Sequence, residues 1–226
     1  MFARDSSEIS RNDTVIDEIC SLNWHSLTAE DMTAVAWAYY YFSIQFRENL
    51  QIACTSRPDD PALKLLLAEE CDTSNLSPYP GIAEVGEKMN HDEFMRRALE
   101  LKQLPAETRW RYSRAGSDYL RAVKRVPTHI RGQSMASYED GGLERVFEAM
   151  LTAPCYDDPL LNAFRFFLTE HIRFDSDPVA GHGNLSRHLG DDDNVSELWQ
   201  LFSQLLLETT PSLSHPAREE RIHAAS

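Results

Sequence analysis

The feature that most constrains the fold is a helical stripe of apolar side chains that changes character along its length. The apolar residues of segment 160–168 recur at intervals of three and four, the spacing of one buried helix face. At roughly 100° per residue, continuing this helix would place His171, Asp175 and His182 within about 40° of one another. Burying such groups without partners costs several kcal/mol. The stripe therefore predicts a buried polar site where this helix ends.

Helical periodicity also covers most of the remaining chain. Its clearest instance follows Ser26-Leu-Thr28, which has the composition of a capped helix start. The inward stripe of that long helix is predicted to be Val35, Tyr39, Phe42, Phe46 and Leu50.

Proline-containing breaks separate the predicted helices. Pro61 and Pro159 each stand in a predicted first helical turn, and residues 71–86, with two prolines and two glycines, form the clearest loop. One helix is expected from about Glu87, and another is expected to be interrupted near Gly141-Gly142. Neither an alternating strand pattern nor an internal repeat is visible. We therefore predict an all-α bundle of about seven helices, a single domain over 1–226 with flexible ends at 1–12 and 211–226.

Charge and cysteine content limit the function classes. The formal net charge of −14 disfavours nucleic acids and anionic membrane surfaces as partners. The four cysteines form no CxxC pair, which argues against a zinc ribbon or disulfide framework and favours a reducing, cytoplasmic location. No run approaches 18 apolar residues, and the first ten residues have no signal-peptide core. We expect an acidic cytoplasmic protein with a small-molecule substrate, with a homodimer left open.

Ionisable residues also extend three other apolar stripes. His91 continues the stripe of one predicted helix, Glu139 that of another, and the pair Glu69-Glu70 ends a third. With His171, Asp175 and His182, these residues place carboxylates and imidazoles from facing helices in one bundle. Mixed oxygen and nitrogen ligands of this kind suit a site for two iron or manganese ions.

Each of these residues also has a simpler interpretation. A histidine on an apolar stripe is often a hydrogen-bonded core residue. Glu139 could cap a helix that follows the glycine pair, Glu69-Glu70 could be a solvated helix end, and Asp175 could stand in a surface turn. The metal interpretation depends on the joint pattern over four helices.

A basic run on another predicted helix has two interpretations. Its members are Arg109, Arg111, Arg114, Arg121, Lys124 and Arg125. One reading is a clamp for a substrate carboxylate. The other is a solvated helix face, which is the more common role of such a run.

The order of these residues resembles the haem-oxygenase-like non-haem di-iron oxidases and oxygenases. The resemblance covers about residues 30–185 and includes the aromatic first helix, Glu69-Glu70 at a helix end, His91, and Ser137-Tyr-Glu139. It also includes His171 followed by Asp175 and His182.

That resemblance implies a ligand set and two cofactor ions. Glu69, His91 and His171 would hold one Fe(II), and Glu139, Asp175 and His182 would hold the other, with Glu139 as the bridge. Manganese is the alternative metal, and O₂ would be the co-substrate. The family alignment favours Glu69 as the first ligand, whereas the apolar stripe points to Glu70.

Two spacings depart from the family pattern. About twenty residues separate Glu69 from His91, which the family usually places close together. His182 follows Asp175 by seven residues, with Pro178 and Gly181 between them, where the family commonly has three or four. We expect segment 177–181 to be partly unwound without metal.

The resemblance implies an O₂-dependent oxidoreductase in specialised natural-product biosynthesis. Its substrate would be a small amino-acid-like or carboxylic-acid metabolite, and its reaction N-oxygenation, oxidative C–C cleavage, desaturation, decarboxylation or nitrile formation from a tryptophan-type amino acid. Three alternatives stay open. They are a metal-free thiaminase-type or cofactor-synthesis enzyme with a nucleophilic cysteine, a haem oxygenase using His25, and a non-enzymatic helical interaction protein.

Overall fold

Every regular element of the described chain is helical. The computed structural model describes residues 10–175, 181–190 and 192–214, except for the side chain of Asp175. Within these residues the α-helices are α1 (Arg11–Cys20), α2 (Ala29–Ser56), α3 (Pro61–Cys71), α4 (His91–Glu100), α5 (Ala106–Val123), α6 (Thr128–Ser137), α7 (Leu143–Leu151), α8 (Pro159–Asp175), α9 (His182–Ser186) and α10 (Ser196–Thr209). The predicted all-α fold class is confirmed.

Helix α2 is the central element of the bundle. It starts with a reciprocal cap, in which the Thr28 hydroxyl accepts from the Asp31 backbone N–H and the Asp31 carboxylate accepts from that of Thr28. The predicted inward stripe of α2 is buried throughout. Six helices (α3, α4, α5, α6, α8 and α10) pack against α2. At 1.5 Å per residue, the 28 residues of α2 are about 42 Å long, which gives it length enough to contact all six.

The chain between α3 and α4 closes on itself and brings the two helix ends together. Thr73 and Met89 form an isolated antiparallel bridge, with backbone hydrogen bonds of 3.5 and 3.0 Å. This pairing holds the backbone before α4 in an extended conformation. Helix α4 therefore begins at His91, and the expected start near Glu87 is wrong. The same bridge lets residues twenty positions apart in sequence meet in space.

A kinked turn, Tyr138–Gly142, joins α6 to α7, and Asp140 and Gly141 within it have non-helical backbone angles. We call it the π turn, because the Leu143 N–H closes it with a hydrogen bond to the Tyr138 carbonyl oxygen, five residues back. Gly141 lies at φ 90°, in the left-handed region that glycine adopts without steric cost. The predicted interruption near the glycine pair is confirmed. The turn is anchored in the core, since Tyr138 is fully buried and its ring meets the Trp199 ring edge-to-face at 4.9 Å. The Trp199 indole N–H donates to the Ser137 hydroxyl at 2.9 Å.

His182 does not lie on a continuation of the helix that carries His171. Helix α8 ends at Asp175, and His182 starts the separate helix α9 after Gly181, whose backbone is extended (φ −63°, ψ 148°). The expected one-helix alignment of His171 and His182 is therefore wrong, because an extended residue breaks the 100° periodicity. Of segment 177–181, for which unwinding was expected, Gly181 is extended and residues 177–180 lie outside the described residues.

The expectations for the surface and the ends have mixed outcomes. The basic run is exposed at all six positions, four on α5 and two just after its end, as a solvated face requires. Arg11 and Asn12 begin α1, and Leu213 is buried in a short 3-10 turn. Residues 1–9 and 215–226 of the expected flexible ends lie outside the described residues. Among the described helices, none combines the length and apolar character needed to cross a membrane.

Candidate metal centre

His171 is held as a neutral imidazole with its Nε2 atom directed into the bundle. Its Nδ1–H donates to the Phe167 carbonyl oxygen, one turn back in α8, at 3.1 Å. A carbonyl oxygen can only accept, so the proton is on Nδ1 and Nε2 carries a lone pair. Burial, together with the neighbouring His91, lowers the pKa of His171 to about 3. At neutral pH this ring is therefore available as a ligand.

His91, the first residue of α4, faces His171. Its Nδ1 atom lies 3.0 Å from His171 Nε2, and its Nε2 atom lies 3.4 Å from Asn75 Oδ1. Asn75 belongs to the loop that the Thr73–Met89 bridge closes. Because His171 Nε2 carries a lone pair, His91 Nδ1 is the donor of the hydrogen bond between the two rings, and a metal ion would take the place of that proton. The two imidazoles thus present nitrogen atoms to the same point.

Glu70, near the C-terminal end of α3, lies at the middle of the site. Its side chain is 3% exposed. The Oε2 atom lies 2.5 Å from His91 Nδ1, and the Oε1 atom lies 2.9 Å from His182 Nδ1. Burial alone would raise the pKa of Glu70, but His91 and His182 hold that pKa well below its usual range. The ionised carboxylate therefore offers one oxygen to each of two histidines.

Glu139 and His182 complete a second group on the other side of Glu70. Glu139 Oε2 lies 3.3 Å from His182 Nδ1, and both side chains are buried. The π turn carries Glu139 inward, and α9 approaches that turn closely at Gly183. A Cβ atom on Gly183 would lie 3.0 Å from the Glu139 carbonyl oxygen, so only glycine fits there without displacement. Arg187 holds the same two segments together through a bidentate ion pair with Asp140.

The outer nitrogen of each histidine has its own acceptor. His171 uses the Phe167 carbonyl, His91 uses the Asn75 side chain, and His182 Nε2 faces Glu69 Oε2 at 3.3 Å. Metal-binding histidines nearly always donate their second ring N–H to a carbonyl or carboxylate, which fixes the ring and its tautomer. All three imidazoles therefore have the orientation of metal ligands, with the second ring nitrogen directed inward.

The inward atoms form two groups that could each hold a metal ion. One contains Glu70, His91 and His171, and the other contains Glu70, Glu139 and His182, all buried. Two ligand atoms at about 2.1 Å from a six-coordinate ion are roughly 3.0 Å apart, because they subtend a right angle. Four of the separations within the groups are close to this value, between 2.5 and 3.3 Å, and the ligand atoms of each group all lie within 4.8 Å of one another.

The electrostatics of the first group also fit a cation. The ionised Glu70 carboxylate lies between His91 and His182, and the neutral His171 ring adds a nitrogen lone pair beside His91. Burying a carboxylate is costly unless positive charge faces it. A bound cation would supply that charge. The residues present therefore fit a pair of metal ions.

The wall of the first group is aromatic. The Phe167 ring lies 4.2 Å from the His171 ring and 5.6 Å from the His91 ring, centroid to centroid. Phe147 meets His171 edge-to-face at 5.7 Å. These rings exclude water and lower the local polarity, which strengthens the interaction between the ligands and a cation.

The structure brings five of the residues singled out in sequence into one site. They are Glu70, His91, Glu139, His171 and His182. The side chain of Asp175 lies outside the described residues. His25 is exposed in a 3-10 turn, and the structure gives it no role in this site.

The arrangement differs from the one that the resemblance implies in two respects. Glu69 is 41% exposed and lies on the outer side of His182, so Glu70 takes the inner position. Glu70, rather than Glu139, is the carboxylate common to both groups. The reason is helical phase. Glu70 follows buried Leu66 by four residues and buried Leu63 by seven, and this places it on the buried face of α3.

Asn75 was not anticipated from sequence. It lies in a loop without periodicity, and its proximity to His91 depends on the Thr73–Met89 bridge. A polar residue in a long loop beside a predicted ligand is the only local signal, and it is weak.

Comparison with known proteins adds no assignment. No protein-family model, no curated protein and no solved structure matches this chain.

Proposed function

We propose that the chain is a non-haem di-iron, O₂-dependent oxidase or oxygenase with a haem-oxygenase-like helical bundle. Its substrate would be a small amino-acid-like or carboxylic-acid metabolite. The observation that carries the proposal is the shared carboxylate, since the two Glu70 oxygens belong to two different groups of buried ligands. One carboxylate with a separate histidine on each oxygen suits two ions better than one.

The donor set favours iron or manganese. It combines imidazole nitrogen with carboxylate oxygen and contains no thiolate, whereas structural zinc sites usually use cysteine. His91, His171 and Glu70 would hold one ion, and His182, Glu139 and Glu70 the other. Bound Fe(II) would supply the electrons for O₂ reduction. Asp175 stays a proposed additional ligand of the second ion.

The protein residues contribute charge balance and shielding. Neutral imidazoles bind Fe(II) without adding charge, and the carboxylates of Glu70 and Glu139 partly compensate two divalent ions. Phe147 and Phe167 keep bulk water from the His171 side of the centre.

The thiol chemistry gives no support to a thiaminase-type enzyme. Burial raises the pKa of Cys71 to about 12, and burial is also the main cause of the raised pKa values of Cys20, Cys54 and Cys155. A cysteine nucleophile must reach its thiolate form. Raised values keep these thiols protonated at neutral pH, which favours the metal centre over a cysteine nucleophile.

Anaerobic Fe(II) titration followed by exposure to O₂ tests the proposal. We expect two irons per chain, O₂ consumption by the iron-loaded protein, and no consumption by a Mn(II)-loaded or metal-free control. His171→Ala should reduce iron uptake and O₂ consumption together. A chain that binds no iron, or binds two irons without consuming O₂, contradicts the proposal.

A further inference from the structure

A cavity lies apart from the candidate metal centre. It encloses about 690 Å³ between α2, the end of α4 and the start of α5. This volume lies in the range of small-molecule sites, roughly 300 to 1,000 Å³. Leu99 and Glu100, which line it, follow His91 by eight and nine residues, or about 12 to 14 Å of helix at 1.5 Å per residue. The cavity is thus distinct from the metal centre.

One wall of this cavity is aromatic. Trp37, Tyr40 and Tyr41 line it from consecutive turns of α2, and all three are half-buried. The Tyr41 ring lies directly on the backbone of α5 at Gly116, where a Cβ atom would overlap the ring. That contact fixes the position of the Tyr41 ring in the wall. Flat π surfaces of this kind bind planar apolar groups by stacking or edge-to-face contact.

The charged residues of the lining are mainly cationic. Arg96, Lys102 and Arg109 line the cavity together with one carboxylate, that of Glu100. This balance is opposite in sign to the formal net charge of −14 for the whole chain. Whether the cavity attracts an anion therefore depends on which of the three cations is not already paired.

The three cations differ in their availability. Arg96 is ion-paired with Glu93 and with Glu100, and the Lys102 ammonium donates to Asp158 at 2.6 Å. Arg109 has no acidic partner among the residues that the structure describes. Its guanidinium can therefore pair with a ligand carboxylate without breaking an existing ion pair, and such pairs are frequently bidentate.

We propose that this cavity binds a planar organic carboxylate, with its ring against Trp37, Tyr40 and Tyr41 and its carboxylate on Arg109. The carboxylate-clamp role considered for the whole basic run thus belongs to one member, Arg109. The inference does not depend on the metal centre, so each can fail separately.

Calorimetric titration of the metal-free full-length chain with indole-3-acetate tests this site. We expect saturable one-to-one binding, and binding at least tenfold weaker for the neutral indole-3-acetamide. Arg109→Gln should weaken indole-3-acetate binding about tenfold. Arg111→Gln removes an exposed arginine from the same helix outside the cavity, and it should change the affinity less than twofold.

A cavity-filling variant provides the second arm. Ser113→Phe places a ring into the cavity from α5 and should abolish indole-3-acetate binding while the far-ultraviolet circular dichroism stays that of the wild type. Equal affinities of the Arg109 and Arg111 variants would overturn the proposal, as would binding that survives in a folded Ser113→Phe. Absence of saturable binding of indole-3-acetate, benzoate and 1-naphthoate alike would also overturn it.

Discussion

The sharpest test of the site geometry is the isosteric substitution Glu70→Gln. It keeps the side-chain shape and removes the charge that lies between His91 and His182, at 2.5 and 2.9 Å. A buried hydrogen bond to a charged group contributes about 1.5 to 3 kcal/mol, and two such contacts weaken together here. We therefore expect the free energy of unfolding of the metal-free protein to fall by about 3 kcal/mol.

The same substitution should reduce metal binding, because an amide offers one oxygen atom and cannot serve both groups. We expect uptake to fall from two ions to at most one, with the remaining affinity lowered by roughly 100-fold or more. Glu69→Gln is the matched control. Glu69 is 41% exposed, and its loss should cost less than about 1 kcal/mol and leave two ions bound.

Urea denaturation of the metal-free proteins and anaerobic Fe(II) titration measure both effects. The assignment of the central carboxylate would be refuted if the two results were exchanged. In that case Glu69→Gln would lose metal binding, and Glu70→Gln would bind two ions normally.

Three further substitutions test separate parts of the site. His171→Phe removes a ring whose pKa is about 3 in the folded protein and about 6.5 when unfolded. Between those pH values the unfolded chain binds one more proton than the folded chain, so the stability of the wild type falls as the pH drops from about 6.5 towards 3. In denaturation titrations, the pH dependence of the unfolding free energy should be smaller in the variant by about 1.4 kcal/mol per pH unit. An unchanged slope would contradict the assignment. Gly183→Ala should displace His182 from Glu139 and lower iron uptake to one ion, whereas retention of two ions would show that this contact is not needed. Asn75→Ala should weaken iron binding about tenfold with the stoichiometry unchanged, and an unaltered affinity would remove Asn75 from the site.

Much of the architecture follows from local sequence signals. The α2 stripe, the Thr28 cap and the break at the glycine pair were predicted because each depends on residues within one or two turns. The phase of the α3 stripe likewise favoured Glu70 over Glu69, and the structure places Glu70 on the buried face. Where the family resemblance and the helical phase disagreed, the phase agrees with the structure.

The rest of the site depends on contacts between distant residues. His182 reaches Glu70 through an extended Gly181 and a new helix, so extrapolating the periodicity of α8 placed it near the site for the wrong reason. His91 meets Glu70 because the backbone of Thr73 pairs with that of Met89, and no local pattern records that pairing. Glu70 belongs to both groups of ligands because α3, α4, α8 and α9 converge with the π turn.

The most direct test of the central claim is anomalous diffraction at the iron edge from crystals grown anaerobically with Fe(II). We predict two anomalous peaks per chain, one beside His91 and His171 and the other beside Glu139 and His182, with Glu70 in contact with both. A single peak, two peaks that Glu70 does not join, or no peak at these residues would contradict the account.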